Sequence, residues 1–442
     1  MPLAALLGGV LAAMPLDGAE PDARRDATVE AVEQVMPSVV NIATETIVEY
    51  NDPFEQMLRE FWGPYYRRRQ PNTQYSLGSG VIIDEDGYVL TNLHVVRRAS
   101  KVWVKLADGR EFEAEPTIVV NLRIDVAVLK LKTKEGERFK AVKFAKDDDL
   151  LLGETVLALG NPFGLGGSVS RGILSSKNRR PAIEGEPLDV ADWLQTDAAI
   201  NPGSSGGPLI NLKGELIGLN VAIYREGHGI GFAVPIKQVT EALSEIFAPE
   251  ATKSMWFGAR IKSGPYPLLI TSVEPGSPAE KAGLQKGDVI AQINGQAPGD
   301  FLHCAQLLGA GSNREVTLTV RRNGERKAVT ARMVPLADVV HARLGISVQE
   351  LTRELAEHSG YNPREGLLIA GVDPDGPAAR AELRPGDLIA GIDGQATPDL
   401  VSAAAVLASK KKSERAELNV VIHRRSQLGR VINRGSVVVR VR

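Results

Sequence analysis

Cysteine is almost missing from this chain: its 442 residues include only Cys304. An internal disulfide is impossible, as is a thiolate cluster around a metal within one chain, and either redox compartment is compatible. Histidine is scarce too, limited to His94, His228, His303, His341, His358 and His423, and no two have metal-site spacing, so neither metal nor cofactor is expected. Charge of one sign is also lacking. With 52 Lys and Arg against 54 Asp and Glu the formal net charge is −2, and aromatics make up 5%, a balance that suits neither a nucleic-acid nor a membrane-surface specialist. The basic runs 67–69, 177–180 and 410–412 read as solvated loop segments. The long apolar run of residues 1–16 has the length of a signal-peptide core and is too short to span a bilayer, so no stable membrane span is expected. Residues 1–19 are read as a signal segment, with small residues at Gly18-Ala19 for cleavage. The usual positive flank is missing, which leaves an upstream start or an uncleaved anchor open; the expected location is periplasmic or otherwise exported.

What is present centres on residues 197–209, Asp-Ala-Ala-Ile-Asn-Pro-Gly-Ser-Ser-Gly-Gly-Pro-Leu. Glycines on both sides of the Ser204-Ser205 pair allow a backbone path in which the Ser205 hydroxyl projects and the N–H groups of Gly203 and Ser205 converge, as an oxyanion requires. A serine nucleophile needs a base and a group that orients the base. His94 follows an apolar strand-like run, 88–92, and is expected in the loop at its end. Asp125 stands at the mouth of the buried run Val126–Leu131. Of the other histidines, His228 lies in a polar hairpin tip and the rest fall beyond residue 300, in other modules.

The order His94, Asp125, Ser205 is that of chymotrypsin-like enzymes and differs from the subtilisin and α/β-hydrolase orders. The segments 77–83 (LGSGVII), 89–96 (VLTNLHVV), 125–130 (DVAVLK), 160–165 (GNPFGL), 195–203 (QTDAAINPG) and 230–235 (IGFAVP) closely resemble the HtrA/Deg serine proteases, and the resemblance runs from about residue 30 to the C-terminus. It implies that His94, Asp125 and Ser205 form a catalytic triad. It also implies two six-stranded barrels meeting at a cleft, with His94 and Asp125 in the first half and Ser205 in the second, and assembly as a homotrimer or a multiple of trimers. The family usually has Gly-Asn-Ser-Gly-Gly at the nucleophile, whereas Ser204 stands here at the asparagine position; a hole built from backbone N–H groups tolerates that change. The base of the S1 pocket in such enzymes lies six residues before the nucleophile, at Ala199, with Ile200 beside it, so cleavage after small or medium aliphatic residues is expected, with loose selectivity.

The rest of the chain fits this frame. Residues 26–36 read as a helix ended by Pro37, residues 49–76 as a long irregular insertion that is either functional or floppy, and residues 78–235 as short strands punctuated by Gly, Asp-Gly and Asn-Pro turns. Apolar residues from Ile236 to Phe247 recur at helical spacing. Residues 268–296 then align without a gap onto 367–395, about 99 residues later, with roughly half the positions identical. Their pattern Pro-Ala-x-x-Ala-x-Leu-x-x-Gly-Asp-x-Ile resembles a PDZ domain, a module that captures peptides by strand addition and holds the terminal carboxylate on loop N–H groups. The matching loops are Phe257-Gly258-Ala259 and Leu344-Gly345-Ile346, and the first copy is expected to bind peptide poorly because Ser263-Gly-Pro-Tyr-Pro shortens its following segment.

The expected fold is therefore mainly β: a chymotrypsin-like double β-barrel protease domain at 26–250 plus two small α+β PDZ domains at 253–335 and 340–442. The leading function is an ATP-independent serine endopeptidase that degrades misfolded exported polypeptides, with PDZ domains binding peptide C-termini. The alternatives are a peptide-binding holdase or adaptor whose triad is silenced by the loops 160–168 and 177–193, and a scaffold using the PDZ modules alone, which an intact triad disfavours.

Overall fold

The computed structural model describes residues 22, 24–47, 73–97, 99–116, 124–146, 149–161, 167–179, 192–201, 203–221, 229–264, 267–310, 314–362, 365–426 and 429–442. The signal segment, most of the 49–76 insertion, the cores of the 160–168 and 177–193 loops and His228 lie outside them, as do the side chains of His358 and His423.

Helix α1 (Ala27–Val35) begins where Asp26 caps the N–H groups of Thr28 and Val29, and buries Ala31 and Val35. The first barrel consists of β1 (Val39–Ile47), β2 (Thr73–Ile82), β3 (Tyr88–Asn92), β4 (Lys101–Lys105), β5 (Glu111–Pro116) and β6 (Val126–Leu131), closed in the order β1-β2-β3-β6-β5-β4. A four-residue helix α2 (Leu93–Val96) follows β3 at once. The second barrel comprises β7 (Lys143–Phe144), β8 (Thr155–Gly160), β9 (Ser168–Arg179), β10 (Trp193–Thr196), β11 (Pro208–Asn211), β12 (Glu215–Val221) and β13 (Gly231–Pro235). Its sheet order is β11-β8-β9-β10-β13-β12-β7, and the further pairing of β11 with β12 closes six of these strands, leaving β7 appended. Closure removes the free edges that strands of this length would otherwise expose. The basic run beginning at Lys177, read as a loop, instead ends β9, where Lys177, Asn178 and Arg179 are all exposed.

Helix α3 (Ile236–Ile246) buries Ile236, Val239, Thr240, Ala242, Leu243 and Ile246, and α4 (Pro249–Lys253) follows it. The first PDZ module has strands β14 (Met255–Trp256), β15 (Ala259–Ile261), β16 (Ile270–Val273), β17 (Val289–Ile293), β18 (Glu315–Arg322), β19 (Glu325–Arg332) and β20 (Val334–Pro335), with helices α5 (Pro278–Lys281) and α6 (Phe301–Gly309). The second has α7 (Leu336–Leu344), β21 (Ile346–Glu350), α8 (Arg353–Ser359), β22 (Leu367–Val372), α9 (Pro377–Arg380), β23 (Leu388–Ile392), β24 (Gln395–Ala396), α10 (Leu400–Ser409), β25 (Arg415–Ser426) and β26 (Gly429–Arg440). One apolar core runs continuously from the barrels through α3 into the first PDZ module, whereas the second module is built mainly around a core of its own.

Candidate active site

The site begins with a strained backbone. Asp125 sits at φ 55°, a left-handed conformation that costs a residue with a side chain about 1–3 kcal/mol unless the surroundings enforce it. They do: Leu93 N–H and the Asn92 side-chain amide both donate to the Asp125 carbonyl, each at 3.1 Å. This twist turns the carboxylate back towards α2. One of its oxygens accepts from His94 N–H at 2.9 Å, and the other lies 2.6 Å from His94 Nδ1. Asp125 is buried and His94 half-buried, so the pair is shielded on the aspartate side and open on the histidine side. The sequence placed His94 in a loop. It stands instead on helix α2, where both its backbone and its ring are fixed by one carboxylate.

The serine-bearing turn is built from its glycines and its carbonyls. Gly203 and Gly206 have φ of 91° and 81°. Ser204 N–H donates to Asn201 O (2.9 Å), and Gly207 N–H donates to Ser204 O (3.0 Å). Because a trans peptide points its C=O and N–H in opposite directions, fixing the Ser204 carbonyl inside the turn faces Ser205 N–H out of it. The Gly203 carbonyl accepts from the Ser79 hydroxyl at 2.5 Å, Ser79 Oγ accepts from Asn161 N–H at 2.8 Å, and Ser79 N–H donates to Ser205 O at 2.9 Å. Ser79, on β2 of the first barrel, thereby ties down the turn of the second. A Cβ on Gly206 would stand 2.3 Å from Ser79 O and Thr91 Oγ1 and 3.1 Å from Asn92 N, so only glycine lets the turn seat itself on the strand end that leads into His94. Ser204, the departure from the family pattern, is buried against Gly160.

Of the residues read as the S1 pocket, Ile200 packs on Gly231, where a Cβ would come within 2.8 Å of its Cδ1. Ala199 is exposed, and its carbonyl accepts from Ser170 Oγ at 2.5 Å. The nearby acid, Asp197, is engaged elsewhere, accepting from Ile173 N–H at 2.6 Å. Sequence reasoning missed Ser79; its signal was the Gly78-Ser79-Gly80 triplet, whose glycines lie against Val95, Val89 and Ile42 with no room for a Cβ. Cys304 is buried in α6, and burial pushes its thiol up to about 12, so it is inert packing.

The PDZ loops are not presented as the sequence suggested. Phe257 and Gly258 N–H groups both donate to Glu250. Leu344 closes helix α7 and Gly345, at φ 68°, is its C-cap, donating to His341 O at 2.8 Å; only Ile346 lies in the following strand. The expected second loop is thus the end of a helix.

Two closed barrels, with a serine-bearing turn from one seated on the histidine- and aspartate-bearing segment of the other and two PDZ modules behind them, define a serine endopeptidase. Comparison with known proteins agrees: a trypsin-like peptidase domain model matches residues 78–219, and PDZ domain models match 269–322 and 336–423. The chain is 35% identical over 405 residues to the "Probable periplasmic serine endoprotease DegP-like" of Hahella chejuensis, covering 82% of this chain and 84% of that one. A protein of the same name from Halomonas elongata is 35% identical over 407 residues, covering 82% and 83%. Among solved structures, an HtrA-type protease AlgW with decapeptide is 32% identical and covers 70% of this chain and 98% of its own, with a TM-score of 0.40. The chain belongs to the DegP-like serine endoproteases of the HtrA family. No helix among the described residues is long and apolar enough to cross a membrane.

Proposed function

We propose that the protein is an ATP-independent endopeptidase that degrades misfolded or unfolded exported polypeptides in the periplasm, with His94, Asp125 and Ser205 as its catalytic residues. Ser205 Oγ attacks the scissile carbonyl, His94 takes its proton and returns it to the leaving amine, and Asp125 holds the imidazole tautomer that makes this possible. The N–H groups of Gly203 and Ser205 receive the oxyanion. The observation that carries the reading is the two-point grip of Asp125 on His94, backbone and ring, beside a turn that only glycine could seat there.

The S1 pocket is assigned to Ala199 and Ile200. An aliphatic wall on Gly231, with Asp197 engaged by backbone, supports cleavage after Val, Ile, Ala and Leu. An apolar pocket discriminates by only about 1–3 kcal/mol per methylene, and such tolerance suits unfolded substrates. The PDZ modules are assigned to peptide C-termini, and the assembly to a homotrimer or a multiple of trimers.

The test is digestion of reduced casein by the full chain beside Ser205→Ala, with the new termini read by mass spectrometry. The substitution is expected to lower the rate at least about 10⁴-fold, and the cuts to follow aliphatic residues. Cleavage that survives in Ser205→Ala rejects the triad, and cuts after Lys or Arg reject the pocket. An uncleaved substrate that stays soluble with the unsubstituted protein is the result expected of a holdase.

A further inference from the structure

In a PDZ module the captured peptide lies as an added strand beside the strand that follows the loop, and its terminal carboxylate is received by the loop N–H groups. In the first module that loop already holds a carboxylate. One oxygen of Glu250 accepts from Phe257 N–H at 2.8 Å and from Gly258 N–H at 2.7 Å. The other oxygen pairs with Arg260 Nη1 at 3.1 Å, and Glu250 is only 4% exposed. Arg260 in turn reaches Glu274, which accepts from Trp256 Nε1–H, so the occupied loop is locked from behind.

The segment that carries Glu250 also follows the groove. Phe247 meets Phe301, the first residue of α6, edge to face at 6.1 Å. Helix α4 then lies against α6, and Lys253 stands over Gly309, the last residue of α6. On the opposite border α3 is tied to the end of β15: Ser263 Oγ–H donates to Thr240 O at 2.7 Å and Ser263 N–H to Ser244 Oγ at 3.1 Å. Residues 247–253 thus run along α6 towards the loop, in the direction of a peptide whose C-terminus ends there.

We infer that Glu250 is an internal ligand of the first PDZ module, its side-chain carboxylate filling the site that a free peptide C-terminus would take. The inference rests on the peptide-capture reading of the modules given above. Two carboxylates cannot share the same pair of N–H groups, so an incoming peptide must displace Glu250 and lift α4, with Arg260 left to receive the newcomer's charge. A site that is open a tenth of the time binds about tenfold more weakly than the same site freed.

The test uses the full chain with Ser205→Ala, so that the probe is not cut. It is titrated with a fluorescein-labelled decapeptide pool of random sequence ending in valine, as free acid and as C-terminal amide. Hydrogen exchange is followed at residues 255–262 and 344–350. Glu250→Ala is expected to tighten free-acid binding about tenfold, to bring peptide-dependent protection to 255–262, and to leave the amide unchanged. Glu250→Gln keeps the side chain's length and an acceptor, which guards against loss of fold, and is expected to give about threefold. Exchange in 315–332 reports whether the module is folded. Unchanged free-acid affinity in both variants overturns the assignment, as does full protection of 255–262 by peptide with Glu250 in place. If free acid still protects 344–350 in those samples, capture stands and only Glu250's role is lost. If free acid and amide behave alike everywhere, capture fails and the assignment goes with it.

Discussion

In the first PDZ module Glu274 N–H donates to Gly258 O, Gly287 N–H to Ile270 O, and Gln285 N–H to the buried Asp288 carboxylate. In the second, Asp373 N–H donates to Gly345 O, Gly386 N–H to Ile369 O, and Arg384 N–H to the buried Asp387 carboxylate. The repeated sequence therefore dictates repeated bonds, residue for residue. Apart from the matching loop carbonyls of Gly258 and Gly345, what precedes the repeat does not match. The first loop is closed by a side chain, Glu250, and its module shares a core with the barrels; the second is closed by the backbone of α7, and its module packs largely on itself. A side chain can leave by rotating, whereas a helix end must unwind, so on the peptide-capture reading proposed above the two loops would differ in accessibility.

The sharpest way to break the parallel is to remove the residue that grips the first module's buried carboxylate. Strand pairing sets Val289 opposite Arg321 and Leu388 opposite Val421, so Arg322 corresponds to Ile422. Arg322 grips Asp288 with two nitrogens at 2.6 Å each and holds the Asp288 carboxyl below the usual carboxylate range despite its complete burial. Arg322→Ile, which puts at this strand position the residue type found at Ile422, is expected to destabilise the first module by about 3–5 kcal/mol, because it strands a buried charge. Urea unfolding followed by hydrogen exchange would resolve the two modules; a loss below about 1 kcal/mol would mean that Asp288 is neutralised by other means.

The loop glycines give a smaller contrast. Both have positive φ, but a Cβ at Gly258 would lie 2.2 Å from Ser277 Cβ, while at Gly345 the nearest atom, Gly376 Cα, is 3.1 Å away. Gly258→Ala is expected to cost about 3 kcal/mol and Gly345→Ala about 1–2 kcal/mol, the difference being the steric overlap. Equal losses in thermal unfolding would show that the strain at φ, and not the neighbour, sets the cost.

Much of this was legible in the sequence because local chemistry dictated it. Glycines around Ser205, the apolar run after Asp125 and the Gly-Asp repeats each force their own geometry. Helix α3 was readable from its apolar spacing, and the double barrel followed from the resemblance that the motifs carry. What stayed hidden depends on meetings across long sequence separations. Ser79 acts on Gly203 from another barrel, and nothing in Gly-Ser-Gly names that partner. Glu250 reads as an ordinary residue in the first turn of a short helix, and its role appears only where Phe257 and Gly258 fold back over it. The PDZ resemblance implies a loop at Leu344, yet Gly345 is the C-cap of a helix that Leu344 ends.

The attachment of the first module to the barrels is expected to respond to pH. At that joint Tyr88 meets Phe247 edge to face at 5.3 Å and stands beside Gln306 of α6. Asp84 is buried nearby, and burial pushes its carboxyl up to about 6, with Asp300 of the module and Asp86 raising it further and the Asp86 N–H and Lys130 opposing. Unfolded, the same group ionises near 3.8. Below that value it is protonated in both states and its contribution is intact; as pH rises to about 6 the unfolded state loses the proton first, stability falls, and it stays lowered above. Asp84→Asn keeps the acceptor for Asp86 N–H, which donates to Oδ1 at 2.8 Å, and removes the charge. It is expected to stabilise the barrels and first module by about 1–2 kcal/mol at pH 7.5, with no gain at pH 3.5. Hydrogen exchange at residues 415–421 of the second module is expected to stay unchanged. A gain that is equal at both pH values would trace the effect to packing, and a gain shared by 415–421 would show that the two modules are coupled to the barrels as one unit.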